Sequence, residues 1–134
     1  MKLVYKSAYQ EIYYLKRDAE LYFQWTPLTL QMEDEDYQQE ILQSLKYLRK
    51  HKPQKTLINL KQFAYTIDPE MQAWVKKNFL DMLVQQNLTN VSALVISDDF
   101  FAQKSIEQSY EDTIQENYSR YFDSEAEAQD WLVG

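Results

Sequence analysis

Up to about residue 30, apolar and polar positions alternate with a period of two, as in a sheet with one wet face. Leu3 and Tyr5 within residues 2–6, Ile12 and Tyr14 within residues 11–16, and Leu21, Phe23 and Trp25 within residues 20–26 supply three inward faces. The polar run Arg17-Asp18-Ala19-Glu20 has hairpin length, so the second and third strands are expected to be antiparallel neighbours. Thr26-Pro27 stops the third strand, because proline cannot donate to a ladder.

From Glu33 the period becomes helical. Tyr37, Ile41, Leu45 and Leu48 share one face, and Glu33, Asp34, Glu35 and Asp36 place negative charge at the positive end of the helix dipole. Pro53 ends this helix near His51, since the residue before a proline is pushed out of helical angles. Residues 56–60, Thr-Leu-Ile-Asn-Leu, read as a central strand. Asp68-Pro69 is a helix start, an N-cap followed by proline at the first helical position, and Met71, Trp74, Val75, Phe79, Met82 and Leu83 form its apolar stripe. Residues 91–97 give a second buried strand. A helix over residues 101–115 follows, with Ala102, Ile106, Tyr110 and Ile114 at spacing four. A last strand over residues 118–122 leads to the capping box Ser124-Glu125-Ala126-Glu127, with Ala128, Trp131 and Leu132 on the inward face of a short helix.

The order β-β-β-α-β-α-β-α-β-α predicts an α/β fold in a single domain over residues 1–134. Strands separated by helices pair in parallel through right-handed crossovers, whereas the opening meander is antiparallel. A single mixed β-sheet covered by about four helices results.

Several residues in this order carry a family likeness: Trp25 at the end of the third strand, Tyr37 and Leu45, Leu57-Ile58-Asn59, Asp68-Pro69-Glu70 with Trp74, Val95-Ile96, Arg120-Tyr121-Phe122, Glu127-Ala128 and Trp131-Leu132. From about residue 20 to 132 the chain resembles the SpoIIAA-like families of the STAS and SEC14-like group, small bacterial α/β domains. The resemblance implies a non-enzymatic regulatory domain that binds a protein partner or its own copy. Its SEC14-like side implies instead a small molecule or lipid in an apolar pocket between helices and sheet. In the anti-sigma-factor antagonists of the group, an Asp-Ser-Ser-Gly motif carries a phosphorylated serine; here the segment is Phe63-Ala64-Tyr65-Thr66-Ile67-Asp68, with Thr66 the nearest hydroxyl. The group's usual glycine after the tryptophan and aspartate in the buried strand are replaced by Pro27 and Asn59.

Composition narrows the chemistry. The only glycine is Gly134, so no phosphate-cradling loop, dinucleotide-binding turn or nucleophile elbow is encoded. With no cysteine and only His51, the chain has no thiolate zinc site, H-E-x-x-H site, cysteine nucleophile or disulfide. No cofactor and no metal are expected. The net charge of −7 is concentrated in residues 98–130, where ten acidic side chains face only Lys104 and Arg120. Nucleic acid is not an expected partner, because phosphate-backbone affinity comes from clustered Lys and Arg. The one basic concentration, Lys46, Arg49, Lys50, His51, Lys52, Lys55 and Lys61, closes the first helix where its dipole favours cations. Without an 18-residue apolar run or an apolar leader, a cytoplasmic protein with no membrane span is expected.

Three sets of residues are candidates for function. The loop carrying Phe63, Tyr65, Thr66 and Asp68 joins a buried strand to a helix at the edge where α/β sheets present their sites. Its aromatic pair makes either an interaction surface or a lid folded over the sheet end. Asp98 and Asp99, also beyond a strand end, either hold a ligand or cap the next helix. Tyr9, Tyr13, Tyr22, Tyr65 and Tyr118 fall off the assigned inward faces, which suits either protein contact or a half-buried sheet.

Overall fold

A computed structural model describes residues 1–88, 91–116 and 119–134, and side chains outside residues 111–118. The chain is α/β, with one mixed six-stranded sheet in the order β1-β2-β3-β4-β5-β6. β1 (Lys2–Lys6), β2 (Gln10–Leu15) and β3 (Glu20–Trp25) form the antiparallel meander. β4 (Lys55–Asn59), β5 (Val91–Val95) and β6 (Ser119–Phe122) continue in parallel from β3. The expected start of β6 at Tyr118 and the inward Ile114 lie outside what the structure describes.

Each parallel strand is laid down on the same side of its predecessor, so right-handed crossovers carry all the connecting helices to one face. That face holds α1 (Asp34–His51), α2 (Pro69–Val75), α3 (Asp81–Gln85) and α4 (Phe100–Glu116). Their inward residues, among them Tyr37, Ile41, Val75 and Ile106, close over Leu21, Phe23, Trp25 and Leu94 of the sheet. α5 (Glu125–Val133) turns to the other face and covers β4, β5 and β6, where Ala128 and Leu132 meet Tyr22, Leu57, Ala93 and Val95. β3 shows the resulting division residue by residue: Leu21, Phe23 and Trp25 serve the larger core, and Tyr22 serves the smaller.

Local departures from the predicted pattern have identifiable causes. After Pro27, residues Pro27–Gln31 form a 3-10 segment before α1, and the α1 capping box is built from acids, with Asp36 accepting from the Glu33 N–H. Between α2 and α3 the turn Lys76–Leu80 is a π-helix with the Asp81 N–H donating to the Lys76 carbonyl, and the three pieces run on as one rod. The extra residue in that turn lets the adjacent Phe79 and Leu80 both face the core, and the Asn78 side chain donates to the Trp74 carbonyl. Trp74 and Trp131 are half-buried rather than fully inward.

Candidate functional site at the carboxyl edge of the sheet

The loops leaving β3, β4 and β5 emerge at one edge and are tied together by side-chain and backbone hydrogen bonds. The Thr29 hydroxyl accepts from the Ala64 N–H at 2.9 Å, the Ser97 hydroxyl donates to the Phe63 carbonyl at 2.6 Å, and the Asp98 N–H donates to the Lys61 carbonyl at 3.0 Å. Asn59 accepts from the Lys61 N–H and donates to the Tyr22 hydroxyl.

Within this frame Phe63 and Tyr65 face inward, 1% and 7% exposed. Phe63 packs edge-on against Trp25 at 5.2 Å, Tyr65 lies 4.7 Å from Tyr37, and the Tyr65 hydroxyl donates to Asp34. Burial first, then Asp34, raises the Tyr65 pKa. These rings therefore cover the end of the core as a lid. A loop without a core of its own gains most by laying its rings over Trp25, at about 25 cal/mol per Å² of apolar area removed from water. Thr66 and Asp68 remain exposed, and Asp68 caps α2 by accepting from the Met71 N–H at 2.8 Å.

The apolar surface of this edge comes from residues that sequence periodicity did not single out. Leu28 and Leu30 in the 3-10 segment are 45% and 71% exposed, and Phe100 and Phe101 at the start of α4 are 66% and 70% exposed. Asp99 sets the latter pair in place. Its carboxylate accepts from the Ala102 N–H at 2.9 Å, so the helix begins with the two phenylalanines outward and Ala102 and Gln103 buried. Phe100 and Phe101 stand off the Ala102-Ile106 stripe, and that was the available sequence signal. Asp98 is exposed, and among the described residues no three His, Cys, Asp or Glu side chains converge as metal ligands would.

Two further constellations lie inside. Glu40 is buried and accepts from the Tyr5 hydroxyl at 2.9 Å, the Ser7 hydroxyl at 2.8 Å and the Gln10 amide at 3.2 Å, while Gln10 accepts from Ser44. Burial and then the bond to Glu40 push the Tyr5 pKa up to about 12. The carboxylate is held by neutral donors, an arrangement that fastens the β1-β2 hairpin to α1. Between the helices and the sheet is a cavity of about 60 Å³. Its floor is a row of hydroxyls in register across β4, β5 and β6, Thr56, Ser92 and Ser119, with Thr56 and Ser92 hydrogen-bonded at 2.7 Å. Ile41, Leu48, Phe79 and Leu80 wall it. That volume is about two waters' worth and well under the ~150 Å³ that admits benzene, so a lipid chain does not fit it as it stands.

His51 is half-buried between Tyr14, 4.2 Å away, and Tyr47, with its Nε2 enclosed and unpartnered. Burial, then Lys50 and Lys2, lower its pKa. Of the off-face tyrosines, Tyr22 and Tyr65 are buried, Tyr9 and Tyr13 are half-buried, and Tyr118 lies outside the described residues. No helix among the described residues is long and apolar enough to cross a membrane. Compared with protein-family models, with characterised proteins and with solved structures, the chain matches none.

Proposed function

We propose that this chain is a non-enzymatic, SpoIIAA-like interaction domain that binds a protein partner through the carboxyl edge of its sheet. The observation that supports this reading is the exposure of Leu28, Leu30, Phe100 and Phe101 on loops that are otherwise fastened together. Large apolar side chains left in water on a rigid frame favour a surface that closes on a partner, since little ordering remains to be done on binding. In the resembled group the corresponding edge faces partners through its serine motif. Here the apolar pairs on either side of the loop take that role, and Thr66 is its exposed hydroxyl.

The cavity floored by Thr56, Ser92 and Ser119 supports a second reading, a small apolar molecule with one hydrogen-bonding group, admitted when the helices part from the sheet. Native mass spectrometry of the protein purified gently from the cells that make it separates the two. The docking reading expects a defined protein complex that Phe100→Ser with Phe101→Ser reduces to the bare chain. A retained small molecule without a protein partner, or a complex undiminished in that variant, overturns it.

A further inference from the structure

Acids outnumber cations at the carboxyl edge, where the cations include Lys61, Lys6, which lies 3.9 Å from Glu11, and Lys104, whose ammonium lies over the Phe100 ring. Every helical rod follows a strand that runs toward the carboxyl edge, so the N-terminus of every rod lies there, and acidic side chains gather where the dipoles favour them. Glu35, Glu70, Asp98 and Glu125, one at or beside the start of each helical rod, are all exposed. The opposite edge collects the cations Arg17, Arg49, Lys50 and Lys52 by the same rule. Helix stabilisation accounts for the acids one by one. It does not account for Leu28, Leu30, Phe100 and Phe101 standing exposed among them.

We infer that the partner presents a cationic amphipathic segment, an apolar stripe flanked by lysine or arginine, to this acid-rimmed apolar edge. The inference rests on the docking reading above and specifies its partner. An apolar partner without charge would strip water from the surrounding carboxylates without compensation, and an acidic one would be repelled. Lysines or arginines flanking the stripe satisfy the carboxylates while the stripe covers the leucines and phenylalanines. A second copy would bring its own basic edge. The apolar residues there, Met1, Val84 and Val133, are scattered over the start of β1, the end of α3 and the end of α5, and present no comparable stripe.

The test uses the full chain and two synthetic helical peptides with the same leucine pattern, one with lysine and one with glutamate at every polar position, titrated by fluorescence anisotropy. The lysine peptide is expected to bind at least about tenfold tighter than the glutamate peptide at low salt, with the difference shrinking as salt screens it. Phe100→Ser with Phe101→Ser should lower affinity for the lysine peptide about tenfold, and Glu35→Gln, Glu70→Gln and Asp98→Asn together should flatten its salt dependence. Binding blind to peptide charge, absence of binding, or binding that survives the phenylalanine substitutions overturns the inference. So does sedimentation showing self-association that those substitutions abolish, which would assign the edge to a second copy. A cellular complex lost in the phenylalanine variant, combined with indifference to peptide charge, would sink this inference alone and leave the docking reading standing.

Discussion

The two edges of the sheet solve the problem of reversing the chain in different ways. At the amino edge, among the described residues, the chain turns on left-handed residues, Ala19, Lys52 and Asn87, with φ of 50°, 44° and 51°. At the carboxyl edge the loops leaving β3 and β4 are longer, none of the described residues there has positive φ, and side chains such as Thr29, Asn59 and Ser97 do the fastening. The first edge accepts backbone strain to close the fold economically. The second combines buried rings, capped helices and exposed apolar residues, a composition that closure alone does not require.

The sharpest way to break this comparison is to truncate aromatics on the two layers of the carboxyl edge. Phe63→Ala removes a ring packed on Trp25 and is expected to cost about 3 to 5 kcal/mol, whereas Phe100→Ala and Phe101→Ala should each stay within about 0.5 kcal/mol of wild type in urea melts. A large loss at Phe101 would make that ring structural. Next in size is Glu40→Ala, which strands the Tyr5, Ser7 and Gln10 donors and should cost about 2 to 3 kcal/mol. A cost near zero would show that water replaces the carboxylate and that the hairpin is not held through it.

Smaller effects probe the amino edge. Lys52→Gly relieves a left-handed strain of about 1 to 2 kcal/mol and gives back part of it as unfolded-chain entropy, for a net gain of about 0.5 to 1 kcal/mol. Thr66→Gly, with no positive φ to relieve, should lose stability instead. Smallest is a pH effect at His51. Its folded pKa lies below the usual 6.5, so its contribution is fully present above about pH 6.5 and is lost as pH falls below it, where the unfolded chain takes up the proton more readily. Glu20 acts with the opposite sign. Burial raises its carboxyl pKa, and the stability linked to it is present in acid and lost as pH rises through that raised value. Comparing wild type with His51→Phe across pH 5 to 8 by thermal melts isolates the histidine; parallel curves would contradict the assignment.

Most of the architecture was legible because it is written in local terms. The period-two meander, the Asp68-Pro69 start, the Pro53 stop and the Ser124 cap each depend on neighbouring residues, and together with the crossover rule they give the mixed sheet. The π-turn was not legible, since a stripe of Val75, Phe79 and Leu83 reads the same with or without an inserted residue. Nor was the Glu40 network, whose donors lie 30 to 35 residues away in sequence. At the site, the edge followed from topology but the side chains did not. From the sequence Phe63 and Tyr65 read equally as a contact surface or a lid, and only the position of Trp25 and Tyr37 beneath them shows where their rings go.

The central claim is that the carboxyl edge is where this chain meets its partner, and site-specific photo-cross-linking in the producing cells tests it most directly. A benzophenone side chain replaces Phe101 in one protein and Arg17, exposed on the opposite edge, in another. The account predicts a discrete protein adduct from position 101 and none from position 17. Adducts at equal yield from both edges, or none from position 101, would contradict it.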